Sequence, residues 1–207
     1  MADFHIEKQI AQRGFNRIAG IDEAGRGALF GPVVSAAVMF PSSLYRSPYG
    51  WVNEINDSKL LSVRKREQLF PLILTGAKSV GIGFSTNLEI DRNDIFWATL
   101  KSMKRAVHQM TIDADFVLVD GCELNDVNCP QKRVVKGDQK SISIAAASIV
   151  AKVLRDQVVI GLSQIFDGYA LEKNKGYGTR EHYTALKKMG ATVFHRKSFH
   201  LNCGITK

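Results

Sequence analysis

The sequence predicts an α/β fold with a mixed central sheet flanked by helices. Three observations lead there. Short apolar, strand-like runs come first, helical and strand-like segments then alternate, and no internal repeat or low-complexity tract interrupts the 207 residues. Hydrophobic residues make up 45% of the chain and charged residues 23%, enough apolar material for a packed core, which excludes a disordered chain. A length of this order suits one domain, so residues 1–207 are expected to form a single unit with a short tail after residue 199.

Taken in order, residues 3–12 place Phe4, Ile6, Ile10 and Ala11 toward one side of a short amphipathic helix that Gly14 ends. Arg17 to Asp22 reads as a strand running into the glycine-rich turn Ala24-Gly25-Arg26-Gly27. Val33 to Phe40 is apolar and β-branched at its start, as a buried strand requires. Residues 41–57 are rich in Pro, Ser, Asn and Gly and read as a connecting loop. Ser62 is suited to cap a helix through about Leu74, with Gly76 just beyond it, and Lys78 to Ser85 reads as a third strand. Asn87 to Met110 carries apolar residues near helical spacing and is expected to be one helix. Phe116 to Asp120 is a short apolar strand ending in a carboxylate, and Arg133 to Lys136 a further strand before Gly137-Asp138. Ser141 to about Phe166 predicts a long helix whose stretch Ala145-Ala146-Ala147-Ser148 permits close approach to the sheet. Arg180 to Met189 predicts the last helix, stopped by Gly190.

A formal net charge of +8 favours polyanionic partners, because lysine and arginine displace counterions from phosphates, although basic balance also serves solubility alone. No apolar run approaches the roughly 18 residues that span a bilayer. The opening MADFHIEKQIAQRG lacks the apolar stretch of a secretory signal, so the expected location is the cytoplasm, with no membrane partner. Cys122, Cys129 and Cys203 match no zinc spacing and are expected to be reduced thiols. The histidines at positions 5, 108, 182, 195 and 200 have no zinc-type spacing either, and none is assigned to metal.

The chemistry-bearing signal is acidic. Asp22 ends the first strand with Glu23 directly after it, and Asp120 ends the strand Phe116-Val117-Leu118-Val119. An acid at the end of an apolar strand is costly to bury unless a cation or donor compensates it. Capping of a turn is the competing role for each such residue taken singly, and Lys136-Gly137-Asp138 could be a plain turn. If Asp22, Glu23, Asp120 and Asp138 converge, they make an all-oxygen site of the kind hard divalent cations such as Mg²⁺ or Mn²⁺ prefer.

The run Gly20-Ile21-Asp22-Glu23-Ala24-Gly25-Arg26-Gly27, followed by Gly31-Pro32-Val33-Val34, resembles the N-terminal signature of the ribonuclease HII family. The likeness continues through Asn56-Asp57-Ser58-Lys59-Leu60-Leu61-Ser62, Val117 to Gly121, Lys136-Gly137-Asp138, Ala145 to Val153 and Arg155-Asp156. Lys175-Gly176-Tyr177 and His195-Arg196-Lys197-Ser198-Phe199 complete it, in family order, from about residue 17 to 199. Ala28 and Phe30 depart from it, since relatives commonly carry Pro and Ala there.

The resemblance implies a ribonuclease H-like fold with Asp22, Glu23, Asp120 and Asp138 as catalytic, metal-binding residues for two divalent ions. It implies an endonuclease that cuts the RNA strand of RNA/DNA hybrids, and cuts 5′ to ribonucleotides embedded in duplex DNA, leaving 3′-OH and 5′-phosphate ends. Ribonucleotide removal, DNA repair and replication are the implied roles, and a monomer the implied state. Two ions can activate water, neutralise the phosphate and stabilise the leaving oxygen. At least one carboxyl of the set is expected to have a raised pKa while no ion is bound. Gly25, Arg26 and Gly27 are implied to sense the 2′-OH, glycines letting backbone approach a sugar edge. Tyr177 is implied to recognise the ribonucleotide-to-deoxyribonucleotide junction by packing on a sugar.

Lys59, Lys136, Lys140, Lys175, Arg180 and Arg196 are candidates for backbone phosphates, with a solvated surface role as the alternative for each. Asp156 is read as a structural partner of a nearby cation, and His195 and Ser198 as supports of the fold. Two other functions share the same scaffold: a DNA-directed nuclease, and a catalytically silent hybrid-binding protein.

Overall fold

In the computed structural model, which describes residues 2–46 and 50–201, the elements run in the order α1 (His5–Ala11), β1 (Ile18–Ala24), β2 (Val33–Met39), α2 (Ser43–Arg46), α3 (Val63–Gly76), β3 (Ser79–Ser85), α4 (Asn87–Arg92), α5 (Ile95–His108), β4 (Phe116–Asp120), β5 (Gln131–Val134), α6 (Ile142–Ser163), α7 (Leu171–Asn174) and α8 (Arg180–Met189). The five strands form one sheet in the order β3-β2-β1-β4-β5. β1 and β3 flank β2 antiparallel, whereas β4 pairs parallel with both β1 and β5. The expected mixed sheet is therefore present, with β1 as the strand where antiparallel pairing gives way to parallel.

Strand alternation assigns the two faces. Ile18 and Ala24 of β1, Ala36 and Val38 of β2 and Leu118 of β4 join a core with α6, α3 and α1. Ala19, Ile21, Ala37, Met39, Val117 and Val119 point the other way, into a second core with Met103 and Ala106 of α5 and with Met110. α6 is apolar almost all round, as a helix buried on several sides must be. It lies so close to β1 that a Cβ at Gly20 would fall 2.2 Å from the Ser143 carbonyl carbon and 2.3 Å from the Ile144 nitrogen. The N-terminus of α6 is capped by the Ser141 hydroxyl, which accepts from Ile144 N at 3.2 Å and donates to the buried Glu7 carboxylate of α1 at 2.7 Å.

Four expectations need correction. Asn87 to Met110 is two helices, because capping chemistry restarts the chain. Thr86 and Glu89 close a reciprocal capping box at α4, and the Asp94 carboxylate accepts from Trp97 N at 2.7 Å to open α5. The fifth strand ends at Val134, before Lys136 enters a left-handed conformation with φ 54°. Its start is fixed by Gln131, whose amide exchanges hydrogen bonds with both backbone groups of Leu124. The loop of residues 41–57 contains α2 and a 3₁₀ turn at Gly50–Glu54, with residues 47–49 outside the described part. The fourth correction is α7, a short helix between left-handed Ala170 and Lys175 where the sequence pattern predicts none. Ser62 does cap α3, accepting from Lys65 N at 3.2 Å. Among the described residues no helix is long and apolar enough to cross a membrane. Cys122 and Cys129 are free thiols, and Cys203 lies outside the described residues.

Candidate active site

Period two and parallel register bring the first two carboxylates together. Ile21 of β1 stands opposite Val119 of β4, so Asp22 and Asp120 follow at the same ends of adjacent parallel strands. Both fall on the face that carries α6, while Glu23, one residue on, faces away from it. Asp138 arrives from the 3₁₀ turn Gly137–Gln139 between β5 and α6. One carboxylate oxygen from each of Asp22, Asp120 and Asp138 lies within 4.8 Å of the others. Glu23 stands outside that trio but acts electrostatically on Asp22 and is itself influenced by Asp120.

Each acid is held in place. Asp22 is buried and accepts from the Glu23 backbone N–H at 2.7 Å and from the Ser148 hydroxyl of α6. Ser148 in turn shares a 2.8 Å hydrogen bond with Ser58. Asp120 accepts from Gly137 N at 2.7 Å, which ties the end of β4 to the turn bearing Asp138. Asp138 faces the Lys59 ammonium at 3.5 Å. The loop supplying Lys59 is clamped by Arg66, whose guanidinium donates to the Ser58 and Leu61 carbonyls at 2.7 and 2.6 Å. Asp57 fixes it further, accepting from Lys59 N and from the Gln139 side chain at 2.9 and 3.2 Å.

The electrostatics match an acid cluster with too few cations. Burial, then Glu23 and Asp120, hold the Asp22 carboxyl well above the usual range. Burial raises Glu23 against the opposing pull of Arg26, and burial followed by Asp57 raises Asp138 against Lys59. The expectation of at least one raised carboxyl is met three times over. An all-oxygen donor set carrying this surplus charge fits a hard divalent cation, which would replace the missing counter-charge.

Beside the acids, the Gly-rich turn is held by two buried arginines, neither of which the sequence pattern assigns to it. Arg155 of α6 is buried and donates to the Phe30, Pro32 and Lys175 carbonyls at 3.1, 3.3 and 2.9 Å. Arg196, also buried, donates to the Arg26 and Gly31 carbonyls at 2.9 and 3.0 Å. Arg196 therefore does not reach a phosphate; it holds the turn from beneath. Gly25 has φ +99°, and its missing Cβ leaves the space that the Arg155 Nε fills at 2.0 Å. Its glycine answers an internal need. Gly27 is exposed, and a methyl added there would meet nothing within 4 Å among the described residues. Arg26 is exposed and reaches Glu23 at 3.4 Å. Tyr177 pairs across an isolated bridge with Ala28, and its ring lies 5.0 Å from the Arg155 guanidinium and 5.1 Å from the Lys152 ammonium.

Of the remaining phosphate candidates, Lys59, Lys136, Lys140 and Arg180 are exposed, and Lys175 is half-buried with its ammonium on the Glu172 carbonyl. Asp156 pairs with Lys152 at 2.8 Å, as expected of a structural ion pair. Phe30, one of the departures, is fully buried against Phe166, Phe194 and His195. Ser148, Arg155 and Arg196 join the site across long sequence separations. The only sequence signals for them are the small-residue stretch and the two late basic blocks.

A mixed sheet of this order, with acids gathered where its parallel strands end and a long helix behind them, defines a phosphodiester hydrolase on the ribonuclease H-like scaffold. The sequence profile described as ribonuclease HII matches residues 19–202. The ribonuclease HII of Geobacillus sp. (strain WCH70) is 47% identical over 193 residues, covering 93% of this chain and 67% of its own length. That of Geobacter metallireducens is 45% identical over 194 residues, 94% of this chain and 88% of its own. The chain belongs to the ribonuclease HII family; it is a ribonuclease H, an endoribonuclease acting on RNA/DNA hybrids with the help of divalent metal ions.

Solved structures agree on the fold. The ribonuclease H2 of Pyrococcus horikoshii superposes with a TM-score of 0.74 at 23% identity, covering 89% of this chain and 94% of that one. The ribonuclease HII of Archaeoglobus fulgidus, solved in complex with PCNA, gives 0.72 at 23% identity, over 91% and 98%. A ribonuclease HIII solved with Mn²⁺ gives 0.65 at 17% identity, over 92% and 69%.

Proposed function

We propose that the chain acts as a single catalytic domain, a monomer of the cytoplasm, that cuts 5′ to ribonucleotides embedded in duplex DNA as well as within the RNA strand of hybrids. Asp22, Glu23, Asp120 and Asp138 would hold two divalent cations, Mn²⁺ or Mg²⁺, which supply phosphate neutralisation and activation of water. The observation that carries this reading is the meeting of Asp22, Asp120 and Asp138 oxygens within 4.8 Å, from three separate chain segments. Ser148 and the Glu23 amide keep the Asp22 carboxylate in one orientation, and the Gly137 amide does the same for Asp120. Preset donors of this kind cost no reorganisation when the reaction begins.

Substrate recognition is assigned to the neighbouring surface. Gly27 exposes backbone for a 2′-OH, the exposed Arg26 can exchange Glu23 for a substrate oxygen, and Gly25 lets the turn sit on Arg155. Lys59, on the clamped loop beside Asp138, is assigned to a phosphate, and the Tyr177 ring, packed near Lys152 and Arg155, to the sugar beyond the cut. The products of such hydrolysis are a 3′-OH and a 5′-phosphate, which suits ribonucleotide removal during repair and replication.

The test is cleavage of a duplex carrying one ribonucleotide, beside an all-DNA control, with Mg²⁺ or Mn²⁺. Cutting of the first alone is expected, and equal cutting of both favours a DNA-directed nuclease. Asp120→Asn should lower kcat by at least about a thousandfold while hybrid binding persists. A wild type that binds hybrid but never cuts would instead be a silent binding protein.

A further inference from the structure

Two fully buried histidines outside the acid cluster form a hydrogen-bonded chain that ends on the backbone of Tyr177. The Thr192 backbone N–H and hydroxyl both lie 2.9 Å from His195 Nδ1, His195 Nε2 lies 3.0 Å from His182 Nε2, and His182 Nδ1 lies 3.0 Å from the Tyr177 carbonyl oxygen. Both ends of this chain are fixed in sense. A backbone N–H can only donate, so His195 Nδ1 accepts; a carbonyl can only accept, so His182 Nδ1 donates. The one proton left on His195 then sits on Nε2 and points at the bare Nε2 of His182. Every bond is satisfied only when both rings are neutral and in these opposite tautomers.

The surroundings keep them so. Burial, reinforced by His182, pushes His195 down to about 4, and burial lowers His182 as well. The Tyr169 ring packs 5.0 Å from His195 and 6.2 Å from His182, and Phe30 stands edge-on to His195 at 5.0 Å. Arg196 and Arg155 donate to carbonyls of the Gly-rich turn and of Lys175, while Arg196 Nη2 has no hydrogen-bond partner among the described residues. The chain therefore links the loop after α8 to the segment Gly176-Tyr177, which is itself bridged to Leu29 and Ala28 of the turn.

We propose that His182 and His195 are positioning residues for Tyr177, a paired-histidine strut that sets where the Tyr177 ring meets the sugar beyond the cut and so sets the preference for a ribonucleotide-to-deoxyribonucleotide junction. The inference rests on the reading of Tyr177 as the junction sensor. It assigns the block around His195 a part in selectivity, transmitted through one carbonyl, where the sequence offered only a support of the fold.

The experiment measures junction preference, the ratio of kcat/KM for a duplex with one embedded ribonucleotide to that for a continuous RNA/DNA hybrid, in the full chain. His195→Phe keeps the ring volume and removes both polar atoms, and should lower the ratio about tenfold. His195→Gln restores a donor toward His182 and should bring it back to within roughly threefold of wild type. In a Tyr177→Ala background His195→Phe should add less than about twofold, because the side chain it positions is gone.

An equal effect of His195→Phe with and without the Tyr177 ring overturns the inference, as does no effect when Tyr177→Ala alone lowers the ratio. An unchanged ratio in Tyr177→Ala overturns the sensor reading itself, and the inference with it. Nitrogen-15 spectra of the wild-type rings near pH 7 give a check independent of any variant's folding. Protons on His195 Nε2 and His182 Nδ1 are expected, and any other tautomer pair defeats the proposal.

Discussion

Asp22 illustrates how the acid cluster strains the fold that builds it. Its folded pKa is raised by burial, Glu23 and Asp120, so the carboxylate is easier to ionise in the unfolded chain. Below the unfolded value near 3.8 both states are protonated and there is no penalty. As pH rises from there toward the folded value, the unfolded state releases its proton first and stability is lost. In chelator, Asp22→Asn should therefore melt at higher temperature than wild type at pH 8, and the gap should close toward pH 4. A constant gap across that range would show that the carboxyl is not the source. The two glycines of the turn should separate in the same assay. Gly25→Ala forces a side chain into positive φ and onto Arg155, costing about 1–3 kcal/mol, while Gly27→Ala should stay within about 0.5 kcal/mol. At this scale Asp22 and Asp120 are legible from strand ends, because an acid closing an apolar run needs a reason. Asp138 is legible only through resemblance, its turn being unremarkable by pattern. The roles of Ser148 and Arg155 are not legible beyond the blocks that contain them, since they depend on partners far along the chain, and the paired histidines give no zinc-type or catalytic spacing to single them out. Arg196 misleads because a basic residue in a basic block gives no sign of which way it points.

Among the elements, the contact of α6 with β1 decides whether the acids converge. The helix carries Ser148, follows the turn bearing Asp138, and rests on backbone at Gly20. Gly20→Ala would set a methyl into the Ser143 carbonyl and push the helix off the strand. A loss of about 3 kcal/mol in a denaturant titration is expected, with weaker metal binding in any folded fraction. An unaltered midpoint would mean the helix can ride higher at no cost. Most elements are legible because the period-two and helical patterns are strong: β1, β2, β3, β4, α3, α6 and α8 all lie where the apolar pattern puts them. The exceptions are settled by polar side chains that periodicity ignores. Asp94 divides one helix into two by capping, and Gln131 moves the fifth strand forward by gripping Leu124.

For the molecule as a whole, charge and scaffold divide the labour. The net charge is +8, and the four proposed ligands are acids, so the remainder is more basic still and turned toward a polyanion. Hybrid affinity of Asp120→Asn, followed by fluorescence anisotropy, should fall about a hundredfold between 50 and 200 mM salt, as expected for roughly four phosphate contacts. A flat salt response would place recognition in bases or sugars alone. The buried guanidiniums of Arg155 and Arg196 carry a consequence of another kind. They stitch the turn at residues 26–32 and the loop at Lys175 into the body of the protein by main-chain carbonyls, so these segments share the opening energy of the interior. If the turn senses the sugar as proposed, activity on hybrids and the preference for ribonucleotides should be lost together on warming, with no intermediate temperature at which an all-DNA duplex is cut.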